Sequence, residues 1–200
     1  MEILGRGIVH DARTAPFSKR CAAFTGLTQT SDGALLCSFK VGPAKLSAGD
    51  NIHIVRSTDA GRTWQPISTG FPTAFAGTPG SFTSAYLFER EPGKLLASLV
   101  WVDRSNPELP LANPETMGLL PMKCLAAESE NGGATWGPLR EVSLAPHRGN
   151  ALTCEIIRLD DARCVLPYES WKDWDDLEGE QAARVRASED NGKTLSLIHI

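Results

Sequence analysis

One octapeptide recurs three times along this chain and constrains it more than any other feature. Ser57-Thr58-Asp59-Ala60-Gly61-Arg62-Thr63-Trp64 returns as Ser129-Glu130-Asn131-Gly132-Gly133-Ala134-Thr135-Trp136. It returns again as Ser188-Glu189-Asp190-Asn191-Gly192-Lys193-Thr194, with Leu195 where Trp is expected. The spacings are 129 − 57 = 72 and 188 − 129 = 59 residues. A second block repeats in phase: Asp32-Gly33-Ala34-Leu35-Leu36-Cys37-Ser38-Phe39, then Pro92-Gly93-Lys94-Leu95-Leu96-Ala97-Ser98-Leu99, then Asp161-Ala162-Arg163-Cys164-Val165-Leu166-Pro167-Tyr168. One short motif arises by chance. Two motifs repeating together three times mark an internally repeated fold.

Each unit has the same order. An apolar-alternating run (23–28, 84–88, 152–159) meets a polar turn, and a second apolar run follows. A variable loop leads to a third run (52–55, 123–126, 183–186), which enters the repeated octapeptide. Runs this short, bounded by turn residues and without helical period, read as strands. A fourth run after the Trp (65–68, 139–142) completes a four-stranded antiparallel blade. The fold class is therefore all-β, and units of this size built from four strands are the mark of a β-propeller. The blades are expected over about 20–70, 80–143 and 148–194.

The octapeptide has a structural reading of its own. An Asx side chain accepts hydrogen bonds from backbone N–H groups just ahead of it and closes a tight turn. Gly two residues later supplies a positive φ, and the Trp folds its apolar area back over the blade. Asp59 and Trp64 also fit a catalytic acid and a sugar platform. The turn reading is preferred, because a residue serving every blade recurs per blade, whereas a catalytic residue occurs once.

Composition narrows the partners. Twenty Lys+Arg against 24 Asp+Glu leave a net charge of −4 with no long run of either sign. Nucleic acid is not expected as a partner, since phosphate binding wants a basic stripe. No apolar stretch nears the ~20 residues of a membrane span. The start Met-Glu-Ile-Leu-Gly-Arg lacks a signal-peptide pattern, so a cytoplasmic location is expected of the chain as it stands. The five cysteines (Cys21, Cys37, Cys124, Cys154, Cys164) are odd in number and include no Cys-x-x-Cys pair, so buried reduced thiols are expected rather than zinc or redox sites. No cofactor and no metal are implied.

The octapeptide resembles the Asp-box, or BNR, signature of the sialidase superfamily, and the chain is similar to a bacterial sialidase-like propeller over roughly residues 20–194. The residues that carry the likeness are Ser57, Asp59, Gly61, Thr63 and Trp64; Ser129, Asn131, Gly133, Thr135 and Trp136; and Ser188, Asp190, Gly192 and Thr194. The resemblance implies six blades, of which this chain supplies about three. Residues 195–200 break the third box and read as translated adapter sequence joined to a gene fragment, the other reading being a natural hydrophobic end. Half a ring leaves apolar faces uncovered, so the chain alone is expected to associate and to be inactive.

The resemblance also implies site residues. In sialidases arginines hold the substrate carboxylate, an Asp is acid/base, and a Glu-activated Tyr is the nucleophile. Arg20, ahead of the first strand, occupies the place of the first family Arg; the other reading is a solvated Arg beside Lys19. Lys40 stands where a second Arg often lies, keeping the charge and losing the fork. Asp50 is the only Asp of its loop and the candidate proton donor. Glu155 is the candidate partner of a Tyr expected beyond residue 200. Arg104 or Arg148 is expected to join Arg20 and Lys40 in holding an anionic group on the substrate, and Arg148 and Glu169 are expected to approach the channel mouth by blade symmetry. Trp171 and Trp174, with Asp173, Asp175, Asp176 and Glu178, form either a sugar platform or a solvated loop with a packed Trp, and no EF-hand spacing is present. The implied activity is exo-hydrolysis of a terminal sugar, sialic acid or a related one, from a glycan. The rivals are a non-catalytic propeller that binds glycan or protein, and a propeller glycosidase or lyase for another sugar.

Overall fold

Each repeat folds as an antiparallel sheet. The structure, a computed structural model, describes residues 6–147 and 149–194 and the backbone of 196–197. The first sheet runs β1 (Cys21–Gln29), β2 (Leu35–Gly42), β3 (Asn51–Ser57) and β4 (Gln65–Ser68). The second runs β5 (Gly80–Glu91), β6 (Lys94–Asp103), β7 (Met122–Ser129) and β8 (Arg140–Val142). In the third, β9 (Gly149–Leu152) and β10 (Ile157–Arg158) both pair with β11 (Cys164–Trp171), which is followed by β12 (Ala182–Ser188) and β13 (Ser196–Leu197). Neighbours in sequence are neighbours in the first two sheets, and in the third β9 and β10 lie end to end along β11. The backbone of β13 lies in the stretch read as a foreign tail, and it pairs with β12 as the fourth strands β4 and β8 pair with β3 and β7.

Burial explains the apolar runs. In β6 the side chains alternate between two cores: Leu95, Ala97, Leu99 and Trp101 join Leu36, Ile52 and Ile54 of the first sheet. Leu96, Val100 and Val102 join Leu152, Leu166 and Tyr168 of the third. The second sheet is thus sandwiched, and a strand buried on both faces reads as one continuous apolar run. The far face of the first sheet, with Cys37, Phe39, Val41 and Val55, is partly covered by Val9. His10 lies over Phe39 at 5.1 Å between ring centroids.

The repeated turn has one geometry in all three copies. Ser57, Ser129 and Ser188 Oγ accept from the N–H of Gly61, Gly133 and Gly192 at 2.9, 2.9 and 2.8 Å. Asp59, Asn131 and Asp190 Oδ1 accept from the N–H of Thr63, Thr135 and Thr194 at 2.9, 2.9 and 2.8 Å. Glycine is required because φ there is +82°, +89° and +81°, where a Cβ is strained. Trp64 Nε1 closes the first turn on the Gly61 carbonyl at 3.1 Å.

Strand direction sorts the connections. The repeated turns and the short hairpins at 30–34, 92–93 and 159–163 fall at one end of the sheets. The long loops 43–50, 104–121 and 172–181 fall at the other. The first strand of each sheet is irregular: β1 is bulged between Ala23 and Gly26, β5 between Phe82 and Ser84, and the third is interrupted between β9 and β10. Such bulges bend a strand and re-aim its side chains.

Candidate functional site

The long-loop end gathers a buried charged cluster between the first and second sheets. Lys40, near the end of β2, is fully enclosed, and its Nζ lies 3.0 Å from Asp50 Oδ2 with both side chains shut off from solvent. Lys40 Nζ also donates to the Ala44 carbonyl. The loop 43–50 folds back on this pair. Asp50 accepts from the Ser47 N–H at 2.8 Å and from the Ser47 hydroxyl, and its own carbonyl accepts from the Phe82 N–H of β5 at 3.0 Å. Gly42 leaves room for the carboxylate, since a Cβ there would fall 1.8 Å from Asp50 Oδ1.

Arg104, directly after β6, packs beside this pair. Its Nε donates to Ser81 Oγ at 3.0 Å and its Nη1 to the Leu109 carbonyl at 3.3 Å. Its Nη2 is buried and has no acceptor among the described residues. Burial lowers the guanidinium pKa, and the charge of Asp50 opposes that shift. A fork with a spare N–H in a low-dielectric setting is suited to a carboxylate or another anion.

The other expected residues are dispersed. Arg20 stands exposed ahead of β1 at the long-loop end, and its side chain makes no hydrogen bond or ion pair among the described residues. Arg148 lies outside the described residues. Glu169 of β11 accepts from Trp171 Nε1 at 3.1 Å. Trp171 and Trp174 both pack against the core between the second and third sheets, which spends much of their apolar area on packing. The loop 104–121 explains why. Leu119 N–H donates to the Lys172 carbonyl at 3.1 Å, and the Asn113 amide to the Trp174 carbonyl at 3.0 Å. Glu155 sits in the interruption between β9 and β10, in a groove shared with 28–31 and 87–89. Those residues belong to the short-hairpin ends of β1 and β5, so the structure does not bring Glu155 together with Asp50. Tyr86 of β5 is its neighbour, with a pKa raised by burial and further by Cys154 and Glu155.

Two differences from the sequence reading follow. Lys40 and Asp50 answer each other, so neither offers an open atom to a ligand in this arrangement. Sequence reasoning also missed Ser47, Ser81 and Gly42, which complete the cluster; only the folding of 43–50 onto β5 brings them in.

No family model and no curated sequence matches the chain. Solved structures do. A Hadza microbial sialidase superposes with a TM-score of 0.65 at 18% identity, covering 90% of this chain and 37% of that one. Its fold is the sialidase-like one. The Trypanosoma rangeli sialidase bound to 2,3-difluorosialic acid shares this fold at a TM-score of 0.63 and 14% identity, over 89% of this chain and 30% of that one. So does the Penicillium chrysogenum alpha-L-arabinanase complexed with arabinobiose, at 0.58 and 16%, over 88% and 49%. The chain thus spans about a third to a half of the solved structures that share its sialidase-like fold.

Proposed function

We propose that the chain is part of a six-bladed, sialidase-like exo-glycosidase that releases a terminal sugar, sialic acid or a related one, from a glycan. What supports this reading is the likeness of nine-tenths of the chain to a sialidase, and of nearly as much to an arabinan-cleaving enzyme. The sugar is assigned to the long-loop end. Arg104 is the residue assigned to an anionic group on the substrate, because its Nη2 has donor capacity that the protein leaves unused; that atom is enclosed, so the covering loop that starts at Arg104 must part for a ligand to reach it. Lys40 and Asp50 are assigned to holding the loop and Arg104 in place, and Asp50 is no longer the favoured proton donor, since its oxygens are already taken. Arg20 is the open cation at the same end. The nucleophile is placed beyond residue 200.

The enclosure of Asp50 also favours a second reading, a non-catalytic propeller that binds glycan through the same loops. The test is hydrolysis of a fluorogenic sialoside and a fluorogenic arabinofuranoside by the longer protein. Sialoside release that falls about a hundredfold in Arg104→Ala and partly recovers in Arg104→Lys is the expected result. Glycan binding with no release from either substrate supports the second reading. Arabinofuranoside release untouched by Arg104→Ala overturns the anion-holding assignment.

A further inference from the structure

A second cleft, of about 430 Å³, lies over the outer half of the second sheet, bounded by both of its connections to the neighbouring sheets. Neither Arg104 nor the Lys40–Asp50 pair lines it. One side carries Phe75, half-buried and braced edge to face at 6.1 Å between centroids on Trp101, which is itself enclosed in the core and pinned by its Nε1 on the Thr73 carbonyl at 2.8 Å. The lining also includes a buried polar group. Asn150, only 2% exposed, donates through Nδ2 to the Met122 carbonyl at 3.3 Å, while its Oδ1 has no donor among the described residues. A buried acceptor left open in a roomy cleft calls for a hydroxyl or amide donor from outside the protein.

The charges at the rim narrow the class of ligand. Asp103 and Glu141 line the cleft against one ammonium, Lys123, which Glu141 already holds at 2.7 Å. His147, the lining imidazole, has its pKa lowered by burial first and by Arg184 next, which favours its neutral form. Two carboxylates against one paired ammonium disfavour a phosphate or a carboxylate ligand. A partly exposed aromatic ring, an open buried acceptor and two rim carboxylates suit a polyhydroxylated ring without charge.

We propose that this cleft is a second carbohydrate site taking a neutral sugar unit, with Phe75 against the ring and Asn150 Oδ1 accepting from one of its hydroxyls. It goes beyond the function proposed above, and its test separates the two. Saturation-transfer NMR on the full 200-residue chain, with methyl β-D-galactopyranoside and N-acetylneuraminic acid as probes, reads both sites. Saturable transfer to the galactoside is expected. Its affinity should fall about tenfold in Asn150→Leu and in Phe75→Ala and stay unchanged in Arg104→Ala. Phe75→Ala, a change on a half-buried loop, keeps the test valid should Asn150→Leu unfold the chain, which circular dichroism reads. No saturable transfer to the galactoside, or transfer that survives Phe75→Ala, overturns the proposal. So does galactoside binding lost with Arg104→Ala, which would place the sugar at the Asp50–Arg104 cluster.

Discussion

Asp59 and Asn131 occupy the same place in two copies of one turn, and only one of them carries a charge. Asp59 accepts from the Thr63 hydroxyl, the Thr63 N–H and the Ser57 hydroxyl, which together hold its carboxyl at about 2, below the ordinary 3.8. A depressed value means that the turn is favoured at neutral pH. That contribution is complete above about 4 and is lost as pH falls through about 2. Carbon-detected NMR titration should therefore find the Asp59 midpoint near 2, with the Asn131 turn unresponsive over that range; an ordinary midpoint would show the hydrogen bonds absent in solution. For Asp190, in the third copy, desolvation is the largest single influence and raises the pKa, but the hydrogen bonds from Thr194 and Ser188 together outweigh it and hold the carboxyl at about 2. The buried pair behaves differently. Lys40→Met or Asp50→Ala alone strands a charge and should cost about 3–5 kcal/mol, while the double replacement should cost clearly less than the sum. Urea denaturation of the four proteins measures this, and additive losses would contradict the pairing. The turn residues were legible because their roles recur and are local. The partnership of Lys40 with Asp50 was not, because a loop that folds back leaves no spacing to read.

Among the elements, the strands were easier to foresee than the loops that join them. Alternation and turn residues marked every strand from β1 to β8, and the continuous apolar run of β6 is what a sheet covered on both faces requires. The bulges of β1 and β5 were not foreseen, since a single extra residue barely disturbs a short alternating pattern. Nor was the route of the loop 104–121 towards 172–174, which rests on close backbone approach. Gly118 is the contact point, where an added Cβ would lie 2.0 Å from the Asp173 carbonyl oxygen. Gly118→Ala should separate the two loops at a cost of about 1–3 kcal/mol and speed amide exchange at Leu119, whose N–H is bonded to Lys172. Unchanged exchange at Leu119 would show that the loops do not depend on this approach.

At the scale of the whole molecule, the two outer sheets leave apolar side chains open on the faces turned away from the second sheet. Leu27 opposite Cys37 is 55% exposed, and Ile157 opposite Val165 is 47% exposed. Faces of this kind are closed by further blades in a ring, and by other copies when a ring is incomplete. Light scattering of the chain alone should find assemblies larger than a monomer, reduced in Leu27→Lys with Ile157→Lys; a monodisperse monomer would show these faces to be tolerated by water. The same scale holds the functional claim. On the proposed function the substrate lies at the long-loop end beside Arg104, and the repeated turns are supports at the opposite end. The direct measurement is a crystal structure of the longer protein with an unsaturated sialic acid analogue. The analogue is expected among the loops 43–50 and 104–121, its carboxylate within hydrogen-bond reach of Arg104 Nη2. An analogue seated among the repeated turns, or Arg104 left without a ligand contact while the analogue is bound elsewhere, would contradict it.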